Sequence, residues 1–320
     1  MNIKRSTILL GILAVLVIIL VGIIISIYPN WLWFGNLNLA PVFWTMVLGE
    51  YGVAAVIWFL IIVTLSLNLY AAQRLHRQGE QKITEIAGMP VSGKSLNIII
   101  LAAILIVSFI IASKGSVQWN MVLSYLNQQP FGSADPVFGK DIGFYVFSLP
   151  FYLFVREQLL IILLFAALVT LIWYVKDGGI QIIGELVVAE DRPTSLPKVK
   201  IADNVGKHLL LLAGVLVLLA AWGYYLKAYG VLYSTQGPAF GASYTDVNIK
   251  VLVYRLLMVL SFLMSVFVIY NAFRLKIKLL LISSGIWVGA ILVLATGLPI
   301  LIQQFVVKPN ELAKESPYIT

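Results

Sequence analysis

STILLGILAVLVIILVGIIISIY, residues 6–28, runs for 23 positions without one charged side chain. As a helix rising about 1.5 Å per residue it covers roughly 34 Å, enough to cross a hydrocarbon layer of about 30 Å. Lys4 and Arg5 stand before it, and Tyr28-Pro29-Asn30-Trp31 follow it. The run outlasts the roughly 7–15 apolar residues of a secretory leader, and no small-residue cleavage site comes after it. It is therefore expected to stay in place as a first transmembrane helix.

Similar runs recur at residues 51–72, 96–112, 158–174, 208–226, 251–270 and 279–305. They predict an all-α fold, a polytopic bundle of about seven spans that forms a single transmembrane domain over residues 1–320. Composition points the same way. Of the 320 residues 61% are apolar and 11% charged, against about 45–50% and 25% in soluble domains. The mean hydropathy is +0.97. So little charge does not cover a water-soluble globule, which excludes a soluble enzyme, a disordered tail and a nucleic-acid module.

The formal charge of +8 comes from 22 basic and 14 acidic residues. The bases flank the spans rather than forming a nucleic-acid patch, so membrane lipid is the expected partner and nucleic acid is not. There is no cysteine, which excludes disulfide scaffolds, thiolate metal sites and thiol catalysis. The two histidines, His76 and His208, are too few for a His-rich metal cluster. No metal and no cofactor are expected. With the amino terminus inside, the inner segments hold fourteen Lys and Arg residues and the outer segments seven. That bias sets the direction, and an odd number of spans puts the carboxyl terminus outside. Residues 113–157 and 227–250 become outer loops, and 306–320 an outer stub.

The outer segments carry Trp31, Trp33, Phe34, Trp44, Trp119 and Tyr125, rings suited to the membrane interface. Trp119, Val122, Leu123 and Leu126 recur at helical spacing, so residues 115–127 predict a short interfacial helix lying flat on the outer surface. Asp135 to Gly143 is rich in turn residues, and 144–154 is apolar enough to dip into the bilayer or to extend the fourth span. The loops at 135 and 230–250 are expected to pack together as an outer cap, because unpaired amides in lipid cost several kcal/mol. Lys176 to Lys207 predicts a solvated inner connection with one short helix.

Chemistry is sparse. The central parts of the seven predicted spans lack Asp, Glu, Lys and Arg, which argues against a proton relay or voltage sensor. Arg255 is the nearest exception, about 6 Å inside a sixth span that starts at Val251, where it snorkels or pairs with Asp246 or Glu157. A candidate outer-face polar cluster comprises Asp135, Lys140, Asp141, Arg156, Glu157, Asp246 and Arg255. Asp135, Asp141 and Asp246 are read as turn and cap residues, since no calcium-loop spacing is present. Gly88 to Ser95 matches the phosphate-loop string G-x-x-x-x-G-K-S, but no α/β nucleotide domain fits between two spans. Gly285 and Gly289 form a GxxxG pair, expected to let helices pack closely inside the bundle.

Three stretches carry a resemblance: DPVFGKDIGFYVFSLPFY (135–152), YGVLYSTQGPAFGASYTD (229–246) and QFVVKPNELAKESPYI (304–319). Together with Lys207-His208-Leu209 at the start of the fifth span, they resemble the uncharacterised protein family 0182 of bacterial membrane proteins. The resemblance implies a multi-pass plasma-membrane protein of about seven helices and supplies no catalytic residues. It also implies a large extracytoplasmic region beginning about where this chain stops, so the chain corresponds to the membrane portion. Three functions follow as expectations. The first is a non-enzymatic module that anchors an extracytoplasmic region or envelope complex, with a membrane or extracytoplasmic protein partner. The second is a transporter or channel component for a lipid or other apolar compound. The third is an enzyme at the outer interface, using Asp135, Asp141, Asp246 and Arg255.

Overall fold

The apolar run that opens the chain lies in a 32-residue helix, α1 (Arg5–Asn36), which carries on through Pro29. The computed structural model describes residues 5–75, 84–86, 89–91, 93–183, 198–235, 237 and 240–318. A tight turn with Asn38 in the left-handed region (φ 56°), which a short polar side chain tolerates, leads into α2 (Ala40–Leu75). The turn is ringed by aromatics: Phe34 meets Phe43 at 5.8 Å between ring centroids, and Phe43 meets Trp44 at 5.4 Å.

The remaining long helices are α3 (Gly93–Ser116), α5 (Leu149–Lys176), α6 (Asp203–Tyr229), α7 (Val251–Ala272) and α8 (Ile277–Ile291), with the short α4 (Trp119–Leu126) after α3. Turns of π-helix extend three of them without a break. Phe144–Ser148 leads into α5, Asp246–Lys250 leads into α7, and Leu292–Gly297 continues α8 through α9 (Leu298–Ile302) and a further π turn, Gln303–Val307. A helix α10 (Glu311–Glu315) ends the described tail.

Among the described residues, five helices are long and apolar enough to cross a membrane: Ala40–Leu75, Phe144–Lys176, Asp203–Tyr233, Asp246–Ala272 and Ile277–Tyr318. A sixth is added if Ile100–Ser116 and Trp119–Leu126, bent by 53°, form one span. The run at 6–28 falls in α1, many of whose side chains lie outside the described residues. The predicted spans are therefore present as helices but are longer than their charge-free centres, because helix continues into polar and aromatic residues at both ends.

α6 and α7 make the tightest pair. Gly214, Ala221 and Ala228, spaced by seven, are buried on one face of α6. Ser265 Oγ donates to the Gly214 carbonyl at 2.7 Å, and any Cβ on Gly214 would collide with Ile269. Trp287 Nε1 donates to Ser261 Oγ at 3.0 Å and ties α8 to α7. A second core joins Ile57, Ile61, Ala112, Ile162 and Ala166 of α2, α3 and α5. α4 does not lie free on a surface: Trp119 and Leu123 pack on α2 at Gly49, and Tyr125 stacks on Phe151 of α5 at 3.9 Å.

Two short antiparallel strand pairs sit at one end of the bundle, here the hairpin end. β1 (Thr84–Ile86) pairs with β2 (Met89–Val91), and β3 (Ile180–Ile183) with β4 (Lys198–Ile201). Beneath them Ala72, Tyr174, Ile180 and Val205 cluster, and Tyr174 Oη lies 2.8 Å from His208 Nδ1. The connection predicted between Lys176 and Lys207 begins and ends in β3 and β4; its middle, 184–197, and the short helix expected there lie outside the described residues, as does His76. The opposite end, the capped end, carries the Asp135 loop, the 230–246 connection and the tail.

Candidate functional site

Polar chemistry concentrates at the capped end, in two built units. The first is the loop 131–143. Asp135 accepts the backbone N–H groups of Val137 (2.9 Å), Phe138 (2.7 Å) and Lys140 (2.8 Å), and the Tyr145 hydroxyl donates to it at 2.7 Å. Asp141 accepts N–H groups from Phe131, Gly132 and Gly143. Gly139 closes the turn at φ 66°, where an L side chain is strained. Burial pushes the Asp135 carboxyl up, but the amides of Phe138, Lys140 and Val137 and the Tyr145 hydroxyl outweigh it and hold it below its ordinary value of 3.8. The Asp141 carboxyl is likewise held low, chiefly by the Phe131 and Gly143 amides. Both carboxylates therefore act as turn and cap acceptors, with their oxygens committed to the loop backbone rather than to acid–base chemistry.

This loop packs on the end of α6. Phe138 and Phe144 meet Tyr229 at 4.8 and 5.1 Å, and Tyr233 Oη donates to the Tyr145 carbonyl at 2.8 Å. The mutual packing expected of the two long loops thus runs through Tyr229 and Tyr233. The later part of the second loop turns to the tail instead.

That later part is the second unit. Ser243 Oγ accepts the Asp246 N–H at 3.4 Å, while Asp246 Oδ2 accepts the Ser243 N–H at 3.1 Å and its hydroxyl at 2.9 Å. This reciprocal capping box starts the helix. The other oxygen of Asp246, which is only 1% exposed, pairs with Lys250 at 2.6 Å. Thr245 hydrogen-bonds Gln303 on the last long helix. Between them lies a cavity of about 320 Å³, whose polar lining includes Lys250, Tyr254, Thr296, Gln303, Gln304 and Lys308. The tail is held to the same unit: buried Glu315 accepts the Tyr244 N–H at 3.1 Å, Asn248 donates to Tyr318 Oη at 2.9 Å, and Lys314 Nζ lies 4.9 Å from the Tyr244 ring centroid.

The structure does not gather the predicted polar residues into one cluster. Asp135, Lys140 and Asp141 share the first unit, and Asp246 belongs to the second. Arg156 is preceded by twelve residues of helix, since Phe144–Phe154, open to two readings in the sequence, is helical and continuous with the long apolar helix that follows. Its Nε donates to the Leu219 carbonyl at 3.0 Å, and its guanidinium fills the place of a side chain at Gly223. Arg255 stands nine residues past Asp246 in a helix that begins before Val251, because the capping box starts it there. It is exposed, as is Glu157, and neither forms an ion pair among the described residues; the pair there is Lys250–Asp246.

Among the described residues a Cβ on Gly285 or Gly289 meets nothing within 4 Å, whereas one on Gly214 would collide with Ile269. In the phosphate-loop string, Met89–Val91 is a strand and α3 starts at Gly93, so extended backbone replaces a phosphate cradle; Gly88 and Ser92 lie outside the described residues. The reading of the sequence also missed Tyr145, Lys250, Gln303 and Glu315. The signal for Lys250 was the S-x-x-D pattern at Ser243–Asp246. No local pattern announces the others, whose partners are 10 to 71 residues away. Among the described residues no group of three or more His, Asp or Glu side chains could hold a metal ion.

A sequence profile for an uncharacterised protein family, UPF0182, matches residues 7–320. The relatives include a UPF0182 protein of Trichlorobacter lovleyi, 31% identical over 300 residues, covering 92% of this chain and 32% of the relative. Another, from Moorella thermoacetica, is 31% identical over 320 residues, covering 95% of this chain and 34% of the relative. A third, from Clostridium perfringens, is 31% identical over 322 residues, covering 98% and 33%. The chain thus spans about a third of the length of these relatives. No solved structure matches it.

Proposed function

The chain belongs to the uncharacterised protein family UPF0182, multi-pass proteins of the bacterial plasma membrane, and on that premise we propose that it is a non-enzymatic membrane module that holds and orients an extracytoplasmic region. One observation carries this reading. The tail is not a loose tether: Glu315 and Tyr318 pin it to Tyr244 and Asn248 at the head of α7. A segment attached after residue 320 would therefore leave the membrane at a fixed place and angle. In the relatives about two thirds of the length lies outside the part matched here.

In this reading the chain is one transmembrane domain crossing seven times. α1 supplies the first span and the bent α3–α4 pair the third; the hairpin end is cytoplasmic and the capped end faces outward. The basic residues support that direction, because they crowd the hairpin end, and Arg156 now counts with a span rather than with an outer loop. The partner is expected to be protein as well as lipid.

The test uses the absence of cysteine from the chain. Tyr244→Cys with Tyr318→Cys is expected to cross-link in intact membranes, and a tagged chain extracted in mild detergent is expected to bring an extracytoplasmic segment or protein with it. Weakening the tail contact with Glu315→Ala and Tyr318→Ala should release that partner. A lone chain that moves lipid between the leaflets of reconstituted vesicles would replace this reading with the transport one.

A further inference from the structure

Between α5, α6 and α7 runs a groove of about 530 Å³, lined by Leu159, Leu218, Trp222, Met258 and Phe262 and reaching Tyr225. Its volume falls in the range of ligand sites, about 300–1,000 Å³, and its walls are almost wholly apolar. Its upper end is different. Arg255 precedes Met258 and Val259 by one turn, so the exposed arginine shares their strip of α7. Arg255 is within electrostatic reach of Tyr229. Tyr229 Oη donates to Tyr225 Oη at 3.2 Å, and Tyr125 and Tyr152 hydroxyls lie 3.4 Å apart on the neighbouring side. A cation and a row of hydroxyls thus stand above an apolar slot.

We propose that this groove binds an anionic phospholipid, with an acyl chain along Leu218, Trp222 and Phe262 and the phosphate on Arg255. Arg255 stands roughly 13 Å along the helix from Asp246, at the head of an apolar strip, where a cation is costly without a counter-charge. No acidic side chain among the described residues pairs with Arg255. Asp135 is committed to its own loop, and Asp246 to Lys250 and Ser243. A lipid phosphate supplies the missing charge and several acceptors for the guanidinium fork, while its chain covers the apolar wall. A free phosphate leaves that wall unused, and a zwitterionic headgroup brings its own cation beside Arg255. The inference is independent of the anchoring role, since none of these residues touches the tail.

Native mass spectrometry of the full chain tests it, after extraction in mild detergent and exposure to equal amounts of phosphatidylglycerol and phosphatidylcholine. One phosphatidylglycerol per chain is expected, retained over phosphatidylcholine by about tenfold, the worth of a charge-assisted contact of roughly 1.4 kcal/mol. Arg255→Gln should abolish the preference, Arg255→Lys should keep most of it, and Leu218→Trp, which fills the slot, should reduce retention of both lipids. Equal retention of the two lipids by the unaltered chain overturns the proposal. A preference that survives Arg255→Gln, or displacement of phosphatidylglycerol by millimolar inorganic phosphate alone, overturns it too. Should a variant fail to fold, the preference of the unaltered chain decides.

Discussion

Gly223 has no side chain, and the Arg156 guanidinium occupies that space, 2.5 Å from where a Cβ would stand. In a helix the residue four positions on shields a carbonyl, so a glycine at 223 is what opens the Leu219 carbonyl to Arg156. The arginine thereby gains a backbone acceptor on a long apolar helix, where an unpaired charge is expensive. Gly223→Ala is expected to push the guanidinium off that carbonyl and cost about 1–2 kcal/mol, near the worth of a charged hydrogen bond, read as a lower unfolding midpoint in detergent. Arg156→Leu combined with it should cost no more than either change alone, because both act on one contact. Asp135 makes a second prediction at this scale. Its folded carboxyl sits below its ordinary value of 3.8, so the stabilisation is complete above that value and is lost as pH falls through the lower folded value. Protease resistance of the loop should therefore stay level from about pH 8 to about pH 5 and decline below about pH 4. Asp135→Asn should shrink that acid-side decline and leave the part that belongs to Asp141.

Small residues decide how the helices meet. Gly214, Ala221 and Ala228 give α6 a flat face on which α7 lies, while Gly285 and Gly289 look into open space. Gly214→Leu is expected to pry α6 from α7 and cost about 2–3 kcal/mol, the range for overpacking a close contact. The same change at Gly285 or Gly289 should stay within about 0.5 kcal/mol in the monomer; a loss as large as that at Gly214 would mean that these glycines pack against something after all. The π turns matter at this scale too. Those at Asp246–Lys250 and Gln303–Val307 flank one polar cavity, in keeping with the tendency of such bulges to gather at functional sites.

For the whole molecule the direction across the membrane is the open quantity, and single cysteines introduced into a chain without any measure it cleanly. With the capped end outward, Leu126→Cys should react with a membrane-impermeant thiol reagent added to intact cells, and Lys276→Cys only after the cells are opened. The reverse pattern would turn the molecule over and detach the proposed outer platform from its partner.

Spans were legible in the sequence because burial in lipid demands long apolar runs, and such runs are local. Stretches such as 51–72 and 208–226 are nearly complete statements of the helices that contain them. Their ends were not, because an aromatic segment such as 144–154 suits a dip into the bilayer or an extension of the helix equally well. Only its packing on Leu226 and Tyr229 selects the helix. Nothing local announces the partner of Arg156; tertiary structure supplies it, a bare carbonyl from another helix 63 residues away. The hold of Glu315 on Tyr244 was equally invisible. Local sequence fixes how much of a chain must avoid water, whereas the pairing of polar groups inside it depends on contacts between distant segments, which only the folded backbone brings within hydrogen-bond reach.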